Sequence, residues 1–336
     1  MKERILVTGG SGLLGSYLIR WFLQKGYSNI TATYHQTRET IPEDIRDGVI
    51  WLPLALPDKQ ACTDVTKGQD WVIHAAGYVS YTPADKYKLL DINQTGTEQM
   101  VNACIDQNVS HFIYVGSIGA LGRETDHLTL NEKSEWVENA WSTSYGLSKY
   151  LGELEVWRAA AEGLKVSVVL PSIILGSGDW DRSSLQMIKR IVSSLGYYPT
   201  GQTGFVDVRD VTAFIGLLLE KSIVGERWLL SGSSTPYGEI YKSVARHLGM
   251  EKTFKPAPKW LANLMLRSSH LFKGKGIGLE VLKHTYGTFS FDASKSLTVE
   301  NFSYRSLEES LRDIAAGYRQ NQPGLPLSFE FFTPPF

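Results

Sequence analysis

Cysteine is scarce in this 336-residue chain: there are two, Cys62 and Cys104, and no CxxC. That excludes a disulfide framework and a thiolate metal site, and it suits a reducing cytoplasm. The seven histidines are scattered and no HExxH occurs, so no metal site is expected. Charge of one sign is also missing. Thirty-four Lys and Arg stand against 35 Asp and Glu, giving a net charge of -1 and a pI near 6.7. No basic block marks a nucleic-acid partner or an anionic membrane surface. No apolar run approaches the about 18 residues that a membrane span needs. MKERILVTGG has too short an apolar run for a signal peptide, so the expected compartment is the cytoplasm. No internal repeat is visible. With 43% hydrophobic residues the composition is that of an ordinary globular protein, long enough for two domains or for one with an added lobe.

Short apolar, β-rich runs dominate the first half. ERILVT (3–8), NITATY (29–34), GVIWL (48–52), DWVIHAA (70–76), HFIYVGS (111–117) and VSVVLP, ending at Pro171, read as strands. Helical spacing fills Gly12 to Gly26, residues 84–107 and the stretch STSYGLSKYLGELE (142–155). Strands apolar on both sides, alternating with helices, predict an α/β fold with a doubly wound parallel sheet of Rossmann type. A dinucleotide-binding domain is expected in 1–172, with about 203–232 returning to it. The remainder of 173–336 then forms a smaller substrate lobe. Helices are expected near 184–195, 209–221 and 237–249. KPAPKWLANLMLRSSHLFKGKG (255–276) reads as a surface helix over a substrate cleft, with an amphipathic membrane helix as the alternative. Ser306 and Glu309 have the spacing of a capping box that opens a last helix. The aromatic tail QPGLPLSFEFFTPPF could dock on its own chain, meet a partner or stay mobile.

TGGSGLLG (8–15) directly follows the first strand and opens a helix. Gly10, Gly12 and Gly15 fit GxGxxG, with Thr8 and Gly9 before them. Glycines permit the tight turn and a close backbone approach, and the helix start offers free N–H groups to a pyrophosphate. The residues expected to hold a dinucleotide here are Gly9, Gly10, Ser11, Gly12, Leu13, Leu14 and Gly15. The alternative is a strand–helix turn with no ligand. An acid about 20 residues later would bind the ribose 2′-hydroxyl of NAD. This chain has Tyr34, His35, Gln36, Thr37 and Arg38 there, and no acid before Glu39. Tyr34, His35 and Arg38 are therefore expected at the adenosine end, with NADP as cofactor and NAD as the alternative.

Tyr145 and Lys149 stand four residues apart and share a helix face. A free phenol titrates near ~10 and a free lysine near ~10.4. An adjacent ammonium, and a nicotinamide cation, are expected to pull the phenol down toward working pH, where acid–base catalysis is efficient. On its own the pair could be an accident of a surface helix.

The motifs TGGSGLLG, DWVIHAAG (70–77), Asn93, YVGSIGALG (114–122), YGLSK (145–149), LPSIILG (170–176) and FVDVRDV (205–211) follow one another in order. In this succession the chain resembles the extended short-chain dehydrogenase/reductase family, also called the NAD-dependent epimerase/dehydratase family, over nearly its whole length. Within the family it looks most like the dihydroflavonol-reductase-like and hydroxysteroid-dehydrogenase-like branch. The resemblance implies Tyr145 as catalytic acid–base, Lys149 as its partner and Ser117 as the third member, with Gly116 where many members have another Ser. Lys149 would also bind the nicotinamide ribose. The resemblance further implies that Ala75, Ala76 and Gly77 pass the cofactor's ribose and phosphates. Asn93 would brace the central helix, and Pro171 and Ser172 would border the nicotinamide end. His74 is expected in the core. Where many members have an Asp after the third strand, this chain has Ala55.

The reaction this implies is hydride transfer between NADP and the carbonyl of a small, partly apolar substrate. A nucleotide-sugar epimerase or dehydratase would use the same three residues, and a non-catalytic NADP-binding regulator would not need them. LPSIILG lacks the Asn and aromatics of sugar-nucleotide members, which favours the reductase. Arg209 could meet a sugar diphosphate or pair with Asp207 or Asp210, and the ion pair is the expected role. Val79 and Ser80, in the loop Tyr78–Thr82, and Trp180 are expected near the substrate, together with Ser117. Trp180, Tyr197, Tyr198, Phe205 and Trp260 could line a pocket or belong to the core. Family members often pair through the helices at 84–107 and 143–160, so the resemblance allows a homodimer.

Overall fold

In the computed structural model, residues 2–35, 37–123, 128–139, 141–180, 185–258 and 284–320 are described. The six β-rich runs become β1 (Ile5–Thr8), β2 (Ile30–Tyr34), β3 (Ile50–Pro53), β4 (Trp71–His74), β5 (His111–Val115) and β7 (Val166–Pro171), and the structure adds β6 (Leu128–Leu130), β8 (Ile173–Leu175), β9 (Tyr197–Tyr198), β10 (Gln202–Asp207), β11 (Glu226–Leu230), β12 (Ser233–Pro236), β13 (Lys255–Pro256) and β14 (Phe289–Phe291). Seven of them form one parallel sheet in the order β11-β7-β5-β4-β1-β2-β3. Its alternating burial explains the unbroken apolar sequences. Ile5, Val7, Ile73 and Ile113 face one core, whereas Leu6, Val72, Phe112 and Tyr114 face another. Both faces are covered, so neither register of alternation is free to be polar. Each fully buried side chain of this kind contributes about 1.5–3 kcal/mol.

Nine α-helices among the described residues accompany the strands: α1 (Leu13–Gln24), α2 (Lys59–Thr66), α3 (Lys86–Leu90), α4 (Gly96–Asp106), α5 (Ser144–Ala161), α6 (Gln186–Ser193), α7 (Val208–Glu220), α8 (Tyr237–His247) and α9 (Leu307–Gln320). The hydrophobic residues of α1 and α7 join the core on one face of the sheet, and those of α2, α4 and α5 join the core on the other. The order makes β1 and β4 neighbours although two strands separate them in sequence. The chain's path therefore diverges there, and a crevice opens at the strands' carboxyl ends. α7 and β11 belong with this sheet, while β10 pairs with β8 and β12 in a separate three-stranded sheet. α6, α8 and α9 pack beside that smaller sheet around Phe205, Tyr237, Ile240, Leu311 and Ile314.

Two expectations need correcting. Residues 84–107 do not form one continuous helix. They run as a 3-10 turn (Pro83–Asp85), α3, a π-helical turn (Asp91–Thr95) and α4. The capping box at 306–309 is half made. The Ser306 hydroxyl accepts the Glu309 N–H at 3.2 Å, but the Glu309 carboxylate turns to Arg305. Trp260, most of 255–276 and the aromatic tail lie outside the described residues. Among the described residues, no helix is long and apolar enough to cross a membrane.

Candidate active site

The glycine loop closes tightly after β1. Gly9 adopts φ +68°, and a Cβ there would meet Ala76 Cα at 2.9 Å. A Cβ at Gly15 would run into the Gly9 carbonyl oxygen. Gly9, Gly12 and Gly15 lie around the turn itself, with a Cβ at Gly12 coming to 3.1 Å from the Gly9 carbonyl oxygen. Gly10 is required for a different reason: its Cβ would strike Ala32 on β2 and the Trp51 ring. Gly12 is the N-cap of α1 and supplies no capping side chain, and no acid occupies the first turn. The helix thus starts with backbone donors and a positive dipole end aimed at the crevice. Leu14 buries its side chain and Leu13 packs partly into the core, so both offer a ligand their N–H groups. Ser11 is half-buried in the same turn.

At the end of β2, Tyr34 is half-buried against the core, while His35 and Arg38 are exposed. Arg38 opens a 3-10 turn (Arg38–Thr40). Ala55 is exposed just beyond β3, and the nearby Asp58 caps α2 through Ala61 N.

The loop after β4 is held from below. Thr97 donates its hydroxyl to the Asn93 carbonyl at 2.7 Å, so toward His74 it can only accept. The imidazole is accordingly assigned with its proton on Nε2 and with Nδ1 accepting from the Thr8 hydroxyl at 2.9 Å. Thr8 in turn accepts the Ala76 N–H. His74 is buried between Phe112 and Tyr114, and burial, with Lys149 adding to it, lowers its pKa to about 3. It is a neutral core histidine, as expected. Asn93 sits in the π turn and clasps Tyr78: Tyr78 N donates to its Oδ1 at 2.8 Å, and its Nδ2 donates to Tyr78 O and to Ser148 Oγ. The wider turn lets one side chain reach both the loop and α5.

Tyr145 and Lys149 project from the start of α5, which Thr143 caps through Gly146 N at 2.8 Å. A Cβ at Gly146 would run into the Gly119 carbonyl oxygen. The bare glycines therefore let α5 lie flush on the turn that carries Ser117. Ser117 accepts Gly119 N–H at 3.1 Å, and its hydroxyl is near enough to the Tyr145 phenol to pull that group's pKa down. Gly116 has no room for a second Ser, because a Cβ would meet Leu170 Cδ2 at 2.5 Å. Lys149 donates to the Val115 carbonyl at 2.8 Å and stands over the Tyr114 ring. A Cβ at Gly77 would approach its Nζ to 3.3 Å and Asn93 Oδ1 to 3.2 Å. Ser117, Tyr145, Lys149, Gly77 and the glycine loop thus line one edge of the sheet.

The electrostatics differ from expectation. Burial lowers Lys149 to about 8, while burial first, then the neighbouring Tyr81, raises the Tyr145 phenol despite its bond to Ser117. The Lys149 ammonium is spent on a backbone carbonyl, so in the protein itself it does not make Tyr145 acidic. Two further placements differ. Ser80 is tied to Asp85 and to Thr82 N, which fixes the loop rather than presenting a hydroxyl to a substrate. Trp180 packs edge-on against Tyr318 in the core of the smaller lobe. Phe205 is likewise core, while Tyr197 and Val79 are exposed and Tyr198 packs against Tyr241. Pro171 and Ser172 lie buried at the end of β7, with Ser172 N bonded to Leu230 O.

Sequence reading placed Tyr81 only within the loop over the site and missed Arg123 and Tyr237. The Tyr81 ring meets Tyr145 edge-on at 5.8 Å. Arg123 and Tyr237 share the electrostatic neighbourhood of Tyr81. They come from three separate connections, so no motif spacing could have marked them.

A Rossmann sheet, a glycine cradle and this Ser–Tyr–Lys set define an NAD(P)-dependent oxidoreductase of the extended short-chain type. The residues fit the dinucleotide: the cradle has no room for a Cβ, and an uncapped helix start lies beside it. The sequence profile of the NAD dependent epimerase/dehydratase family matches residues 5–230, and the chain belongs to that family. Over 265 residues it is 30% identical to tetraketide alpha-pyrone reductase 2 of Arabidopsis thaliana, covering 70% of this chain and 79% of the relative. It is 28% identical over 251 residues to sterol demethylase protein B of Methylococcus capsulatus, covering 70% and 71%. The solved structure of gox2253 superposes with a TM-score of 0.80 at 26% identity, covering 95% of this chain and 98% of that one.

Proposed function

We propose that this protein reduces the carbonyl of a small, partly apolar aldehyde or ketone to an alcohol, with NADPH as the preferred cofactor. The observation that carries the reading is the Tyr145 phenol, held protonated beside Ser117 at the edge of the glycine cradle. The cofactor, when bound, supplies the hydride. Ser117 and Tyr145 hold the substrate's carbonyl oxygen. As negative charge develops there, Tyr145 gives up its proton, and Lys149, charged below about pH 8, would have to leave the Val115 carbonyl and turn to the phenolate to stabilise it. With its pKa raised by burial, the phenol stays protonated in the resting site, so the proton that reduction needs is in place. Arg209 supports the same choice. Each of its guanidinium nitrogens already bonds Asp207 or Asp313 at 2.7–2.9 Å, so its charge is paired within the protein, which argues against a role on a sugar diphosphate. A relative named as a pyrone reductase is consistent with this reading.

The test mixes the protein, NADPH and a panel of aldehydes and ketones while the nicotinamide absorbance is followed. Turnover is expected, and Tyr145→Phe should lower kcat about 10²–10⁴-fold while cofactor binding persists. Turnover of a UDP- or dTDP-sugar instead would make the protein an epimerase. Cofactor binding with no turnover of either kind would make it a regulator.

A further inference from the structure

Arg123 is the most deeply buried arginine among the described residues, 8% exposed, and it lacks a carboxylate within ion-pair distance there. The other buried or half-buried arginines have one: Arg20 pairs with Asp44, Arg158 with Glu155, Arg209 with Asp207, Arg227 with Glu153 and Arg305 with Asp210. Its place is fixed, because a Cβ at Gly122 would run into the Glu135 carbonyl oxygen and Asn139 Nδ2 donates to Arg123 O. The guanidinium lies over the Phe289 ring, 4.8 Å from its centroid. Nη1 donates to His284 Nδ1 at 2.7 Å. Nη2 makes a long 3.5 Å contact with the carbonyl of Ile118, next to Ser117. Nε is buried with no hydrogen-bond partner.

The Nε–Nη2 edge is the one that binds carboxylates elsewhere in this chain. Arg4 presents it to Asp70 at 3.1 and 2.9 Å, and Arg20 to Asp44 at 2.6 and 3.0 Å. On Arg123 that edge lies beside the reacting groups. The phenols of Tyr81 and Tyr237 are within electrostatic reach of the guanidinium, and Tyr81 touches Tyr145. A buried, uncompensated cation is costly, and a planar fork matches a carboxylate. Burial also lowers the Arg123 pKa to about 10, the mark of a guanidinium whose charge is uncompensated.

Resting on the reductase reading above, we propose that Arg123 is the specificity-determining residue of the site: its Nε–Nη2 edge takes a carboxylate of the substrate, so the preferred substrates are oxo acids. The carboxylate itself is unchanged by the reaction. The carbonyl carbon gains the hydride, its oxygen gains the Tyr145 proton, and NADPH is oxidised to NADP+.

The test compares kcat/KM of the full chain on 2-, 3- and 4-oxo acids with that on their methyl esters. At least one acid should exceed its ester by about 10–100-fold, the value of a charge-assisted hydrogen bond pair. Arg123→Gln should abolish that preference through KM, with the loss on the acid at least about tenfold greater than the loss on its ester, and Arg123→Lys should restore part of it. Equal wild-type activity on every acid and its ester overturns the proposal, even if Arg123→Gln fails to fold. So does a loss in Arg123→Gln that falls equally on both, which would mean that Arg123 only supports the Ser117 turn. A third arm of phosphorylated carbonyl compounds checks the anion's source, and preference for these over the acids overturns the carboxylate assignment. If none of the carbonyl compounds leads to NADPH oxidation, the reductase reading fails separately. Acetate and benzoate then decide the anion site by thermal shift: stabilisation of wild type but not Arg123→Gln upholds it, and none overturns it.

Discussion

Lys149, 6% exposed, keeps its ammonium on the Val115 carbonyl, and burial brings its pKa from 10.5 to about 8. Between those values the unfolded chain binds the extra proton, so this group's contribution to stability rises with pH and is least below pH 8. The difference of 2.5 units corresponds to about 3 kcal/mol. Lys149→Met removes that cost but loses a hydrogen bond of about 1 kcal/mol. It should abolish turnover yet stabilise the protein by about 1–2 kcal/mol at pH 7. The gain should shrink toward pH 10, as read by urea midpoints. A variant less stable than wild type at pH 7 would contradict the burial argument. Arg38 gives a second prediction at this scale. Arg38→Ala should weaken NADPH binding about tenfold or more and leave NADH binding unchanged, measured by fluorescence titration. Equal wild-type affinity for both cofactors would refute the 2′-phosphate reading. Tyr145, Lys149 and Ser117 were legible because local motifs carry them. The direction of the Tyr145 shift was not, since it depends on burial and on Tyr81 in another loop.

Among the elements, α5 depends on contact with a turn from a different part of the sheet. Gly146 and Gly119 make that contact backbone to backbone. Gly146→Ala should push the helix start off the Ser117 turn, costing about 1–3 kcal/mol by overpacking. Turnover should fall at least about tenfold, because small misplacements of reacting groups are expensive. Cofactor affinity should change little, since the cradle is built on α1. Chemical denaturation and steady-state kinetics on the same preparation check this, and unchanged kcat would show that the turn can yield. The sequence revealed six of the sheet's seven strands, because parallel strands covered on both faces are continuously apolar; β11, which starts with Glu226 and Arg227, was not read as one. It did not reveal the π turn at 91–95, where a single added residue hardly disturbs helical periodicity. Nor did it distinguish Gly9 from Gly10, which differ in φ and not in residue type.

For the molecule as a whole, ion pairs fasten the C-terminal segment to the sheet. Asp210 on α7 is 1% exposed and accepts from Arg305 N and Nη1, while Arg209 links Asp207 to Asp313 on α9. Burial, with Asp207 adding to it, raises Asp210 to about 6 even with Arg305 beside it. Arg305→Met leaves that carboxylate unpaired and should cost about 3–5 kcal/mol at pH 7.5. Because the folded form takes up the proton more readily than the unfolded one, the deficit should narrow as pH falls toward 5. Urea midpoints at several pH values test this, and a deficit independent of pH would place the cost elsewhere.

The residues around Tyr145 arrive from separate connections: Tyr81 after β4, Arg123 after β5, Tyr237 after β12 and His284 before β14. None of them lies in the glycine cradle or on the helix that carries Tyr145 and Lys149. Each codon can therefore be randomised while Ser117, Tyr145 and Lys149 themselves stay unchanged. A library confined to positions 81, 123, 237 and 284 is the natural starting point for redirecting this enzyme to new carbonyl compounds.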